Sequence, residues 1–151
     1  MSDPIDQAIQ AANETLHRST EVDYLLVADR AEVTNGKLYL MGGGWDRVQP
    51  QKYPLNLMLG IAVGLRIPYQ ETYDTHKLAV SLERDGQELV KIEAEIQTGR
   101  PPGLGGRDLL VPMAFNIPVS FTEPGDYELN AGVDGHAPRK HAIRATSRGT
   151  P

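Results

Sequence analysis

Glu93 and Glu95 lie two residues apart, so on a strand both carboxylates would leave the same face, as a hydrolase working with paired acids requires. Alternating charges equally describe a sheet face in water. His76 follows Asp74, and His136 follows Asp134, at the same two-residue interval, with His141 nearby. Two scattered pairs lack the spacing of a metal-ligand set. Asp46, Asp74, Asp85, Asp108, Asp126 and Asp134 could supply a calcium loop, but Asp85 and Asp134 stand in turn sequences and Asp126 at a corner. No metal and no cofactor are expected. Zero cysteines remove thiolate ligands and thiol nucleophiles, and no serine sits in a nucleophile elbow, so no catalytic residue is assigned.

Binding chemistry has more to offer. Gly42, Gly43 and Gly44 precede the single tryptophan, Trp45, inside what reads as a strand. Three glycines there forfeit packing and rigidity, so they mark either a bend around a sandwich or a groove in which a ligand or peptide main chain fits beside Trp45. No Lys-Ser/Thr follows them, and neither they nor Gly103, Gly105 and Gly106 precede a helix, which excludes a phosphate loop. Tyr53, Tyr69 and Tyr73 fall in or beside connections, where exposed rings with Trp45 would form a stacking platform.

The elements that must position these residues are mostly strands. In Leu55 to Ile67 every odd residue is a large aliphatic and the even ones are small or polar, a period of two that a helix would scatter. Tyr24 to Val33 and Lys37 to Val48 flank an Asn-Gly turn, and Lys77 to Arg84 and Glu88 to Gln97 flank Asp85-Gly86. A long loop, Thr98 to Asp108, is a further contact candidate. Leu109 to Phe121 alternates again, although Pro112 and Pro118 remove backbone donors and point to an edge strand, a bulge or a break. Tyr127 to Val133 and Lys140 to Thr146 complete about eight strands, which predicts an all-β antiparallel sandwich.

The expected organisation is a helical extension over residues 1–20, a sandwich over 21–147 and a tail over 148–151. The helix runs from Pro4 to about Arg18, with Asp3 as N-cap and Ile5, Ile9, Ala12 and Leu16 on one narrow apolar stripe. So short a helix must dock in cis, engage a partner or fray. The 151 residues carry a formal charge of −5, which argues against general nucleic-acid binding or attachment to an anionic membrane. Arg139, Lys140, His141, Arg144 and Arg148 concentrate positive charge at the C-terminal end. The first twenty residues do not read as a secretory signal and no apolar run is long enough to span a bilayer, so a cytoplasmic protein is expected.

Glu123-Pro-Gly-Asp-Tyr-Glu-Leu129, running into Val133-Asp-Gly135, resembles a late-strand pattern of immunoglobulin-like sandwiches. That resemblance implies a tyrosine corner, with the ring of Tyr127 in the core and its hydroxyl on nearby backbone. Ala28 to Val33, Asn35 to Arg47, the long alternating strand, Glu83-Arg-Asp-Gly86 and Pro124 to Tyr127 together resemble a bacterial single-domain family of unknown function, over roughly Val22 to Ala145. The resemblance implies no activity, substrate or catalytic residue. The expected function is therefore a non-catalytic protein-binding or assembly module, acting on a protein partner or by self-association. A small-molecule or carbohydrate-binding sandwich built on Trp45 and the loop tyrosines is the alternative, and an acidic-residue hydrolase the last.

Overall fold

A computed structural model of the protein describes residues 3–8 and 18–147. Among the described residues nine strands form: β1 (Glu21–Thr34), β2 (Lys37–Gly43), β3 (Arg47–Val48), β4 (Leu55–Ile67), β5 (His76–Arg84), β6 (Gln87–Ile96), β7 (Leu109–Phe121), β8 (Gly125–Val133) and β9 (Arg139–Ala145). They build a four-stranded sheet of order β2-β1-β4-β7 and a five-stranded sheet of order β3-β9-β8-β5-β6. The two sheets pack face to face as a sandwich. Alternating side chains of both meet in one core, with Leu59, Ile61, Val63 and Leu65 of β4 facing Leu78, Val80, Leu82, Leu129 and Ile143. The ring of Tyr127 is buried edge-on against Phe121, and its hydroxyl donates to the Glu123 carbonyl at 2.8 Å. The tyrosine corner is therefore present in geometry. Strand β7, with its two prolines, lies at a sheet edge.

The strand expected over Lys37 to Val48 is two strands in different sheets. Gly42 and Gly44 adopt φ of 62° and 85°, which side chains resist, and the chain crosses from one sheet to the other over Gly44 to Asp46. The Gly44 amide still donates to Val27 in the first sheet, while Asp46 and Val48 carbonyls accept from Arg144 and Thr146 on the second. Strand β3 thus pairs in parallel with β9, and every other pairing is antiparallel.

From Leu59 to Leu65 strand β4 is covered on both faces, which explains Gly60, Ala62 and Gly64. The Tyr24 ring occupies the space a Gly64 side chain would need, and a Cβ on Gly60 would lie 2.8 Å from the Arg30 carbonyl carbon. There β1 crosses the outer face of β4. Asn116 of β7 holds it in place, accepting from Ala31 N at 3.0 Å and donating to Ala31 O at 2.7 Å.

At the N-terminus residues 4–8 are helical, and Asp3 caps them by accepting from the Ile5 amide at 3.1 Å. Ile5 is exposed. Ile9, Ala12 and Leu16 of the expected stripe lie outside the described residues. Arg18, the expected end of the helix, is not helical; it pairs with Asp108 at 3.3 Å.

Candidate functional site

The outer face of the five-stranded sheet carries an open concavity of about 750 Å³ above β5, β6, β8 and β9. Inward residues of these strands belong to the core, so the alternation hands Lys77, Ala79, Ser81 and Glu83 of β5 to this outer face, with Asn130 and Gly132 of β8. Register places Gly132 beside Ala79 and sets Asn130 between Ser81 and Lys140. The middle of the floor is therefore small. From β6, Glu93 stands opposite Ala79, Lys91 opposite Ser81 and Glu88 opposite Glu83.

Asn130 is the unusual member. The residue is only 8% exposed, and its Oδ1 is buried without a hydrogen-bond partner. An unmet buried acceptor costs about 1–3 kcal/mol. Asn130→Ala is accordingly expected to hold or raise stability, by up to about 1 kcal/mol, in urea unfolding followed by circular dichroism. A loss above that size would show the carboxamide to be structural.

A second cluster sits where β5 begins. His76 is buried, with Nδ1 2.7 Å from Asp134 Oδ2 and Nε2 2.9 Å from the Glu71 carbonyl. A carbonyl and a carboxylate can only accept, so both ring nitrogens donate and the pair is imidazolium–aspartate. Burial pulls the His76 pKa down, but the hydrogen bonds to Asp134 and Glu71 and the Asp134 charge outweigh it and raise the pKa above its ordinary value. Burial likewise pushes Asp134 up, and its bonds to His76 and the Lys77 amide hold it below the usual carboxylate range. Next to this pair Arg100 lies over the rings of Tyr69 at 3.7 Å and Tyr73 at 4.7 Å, and bonds Tyr69 O and Thr72 Oγ1.

The residues singled out from sequence are thus dispersed. Tyr69 and Tyr73 come together, around Arg100. Trp45 and Tyr53 are half-buried against the core; His141 Nε2 lies 2.9 Å from the Trp45 carbonyl, and the Tyr53 hydroxyl donates to Thr146 O at 2.6 Å. Tyr53 and Tyr69 stand at opposite ends of β4, whose 13 residues span about 40 Å. Gly42 and Gly43 end β2, and Gly44 opens the crossing between sheets. Glu93 and Glu95 do share the outer face of β6 and line the concavity. His76 joins Asp134, not Asp74. Among the described residues no three His, Asp or Glu side chains gather as a metal site. Sequence reasoning missed Ala79, Ser81, Asn130 and Gly132, for which small outward positions on neighbouring central strands were the available signal.

No curated protein matches the chain. A family model, described as a family of unknown function (DUF6941), matches residues 23–146, which is the sandwich from the third residue of β1 to the end of β9. The chain belongs to that family, DUF6941.

Proposed function

We propose that the protein is a non-catalytic binding module that offers the concave face of its five-stranded sheet to a protein partner. The observation that carries the reading is Asn130, a costly unmet acceptor at the centre of an open concavity floored by small side chains. Small-molecule sites usually enclose most of their ligand, whereas a surface open across four strands suits a segment of polypeptide lying over it. Glu88, Glu93 and Glu95 stand in water, without the dry surroundings that ready a carboxyl for general acid work. An immunoglobulin-like character, supported by the Tyr127 corner, and a cytoplasmic setting, supported by the lack of cysteine, belong to the same reading.

Native mass spectrometry of the full chain, purified untagged from its own host, tests the proposal. Ser81→Trp fills the concavity from its outer side, while Met58→Lys alters an exposed residue of the other sheet. The expected result is a mass above the monomer that survives Met58→Lys and is lost in Ser81→Trp, with both variants folded by circular dichroism. A bare monomer throughout, or an assembly indifferent to Ser81→Trp, overturns the reading.

A further inference from the structure

Resting on that reading of the concave face, we infer that it recognises a basic segment of its protein partner, with an arginine guanidinium seated on Asn130. The unmet group is a carboxamide oxygen, so whatever covers it must donate. The charges around it point the same way. Glu128, Glu83 and Glu88 stand directly opposite one another on β8, β5 and β6, a row of three like charges that a sheet disfavours. Lys140 reaches Glu128 at 3.3 Å and Lys91 reaches Glu93 at 3.2 Å, which commits both lysines. Among the described residues Glu83, Glu88 and Glu95 have no ion pair; Lys91 also feels the charge of Glu88 and Lys77 stands opposite Glu95, so four carboxylates of the lining face three lysines. The cavity therefore keeps an excess of free acceptors beside a buried acceptor.

Guanidinium answers this arrangement better than ammonium. It is planar, carries five donors in a fixed fork and is weakly hydrated, so one face can settle on the floor of Ala79 and Ser81 while its edge bonds oxygen atoms. Gly132 bounds the floor on one side: a Cβ there would already touch the His136 carbonyl at 3.4 Å and Pro138 at 3.5 Å, so the loop after β8 walls that end.

The probe is capped hexa-arginine, titrated into the full ¹⁵N-labelled chain at physiological salt, with hexa-lysine, hexa-glutamate and spermidine as comparisons. Hexa-arginine is expected to shift the Asn130 side-chain amide and the outward residues of β5 and β8, and to bind at least threefold tighter than hexa-lysine. Asn130→Ala and Glu83→Gln should each weaken it about tenfold, whereas Glu32→Gln, an exposed acid on β1 of the other sheet, should change it less than twofold. Binding that survives Asn130→Ala and Glu83→Gln is general attraction to an acidic chain and overturns the inference. So does spermidine binding as tightly as hexa-arginine, or preference for hexa-glutamate. If hexa-arginine fails while Ser81→Trp still dissolves the native assembly, the basic segment is wrong and the binding face stands. Loss of both results removes the face itself.

Discussion

Replacing His76 with leucine is expected to lower the free energy of unfolding by about 2–4 kcal/mol, because removing one partner strands the other half of a largely buried ion pair. The lower part of that range applies to Asp134, whose side chain is 26% exposed and keeps the Lys77 amide as donor. The pH dependence is the sharper test. His76 has a raised pKa in the folded chain, so its contribution is complete below the ordinary histidine value near 6.5 and fades as pH rises through the folded value. Asp134 has a lowered pKa, so its contribution is present above its ordinary value of 3.8 and is lost as acid carries the pH through the folded one. The melting temperature should therefore hold between roughly pH 4 and 6.5 and fall on either side. Asp134→Asn should reverse the alkaline slope. Asparagine tolerates the φ of 53° at this position, and its amide can donate to Nδ1 of a neutral His76. A buried neutral histidine resists protonation, so stability would then rise from pH 5.5 to 8. Scanning calorimetry across that range decides it: equal slopes in both proteins would show that His76 is not the imidazolium of the pair.

Gly60→Ala should cost about 3 kcal/mol or more, above the usual penalty for an added methyl, because the obstacle is main chain. The new Cβ would press on Arg30 and Ala31 backbone atoms at 2.8–2.9 Å, and relief requires lifting β1 away from the Asn116 carboxamide. Two hydrogen bonds stretch as one. Asn116→Ala alone should cost about 1–3 kcal/mol, and the double variant should lose less than the two separate losses added together, since the first change already frees what the second removes. Guanidinium unfolding of the four proteins measures this. Strict additivity would show that the crossing of β1 over β4 and the Asn116 bridge are independent.

These residues also mark what could be read from sequence. Alternation in Leu55 to Ile67, the Asn35-Gly36 and Asp85-Gly86 turns and the prolines of β7 are local signals, and each leads to the right strand, turn or edge. The even positions of β4 do not explain themselves, because Gly60 and Gly64 are small on account of Arg30 and Tyr24, which lie over them in space. Distance in sequence hides the rest. His76 and Asp134 are 58 residues apart, and nothing near either selects the other over Asp74. Likewise the identity of Asn130 carries no mark of an unmet oxygen; only the register of β5, β8 and β9 leaves it without a donor. Glycine clustering before Trp45 did announce a bend, but not that the bend would deliver the chain to the opposite sheet.

That delivery has a consequence for how the molecule comes apart. Gly44 is tied to Val27, and two residues later Asp46 is tied to Arg144, so the backbone ladders of both layers are joined through a span shorter than one turn of helix. Sliding one layer along the other would tear both attachments together. The crossing acts as a shear pin: together with the shared core it favours melting of both layers in a single transition, and it gives tension on one layer a backbone route to the other.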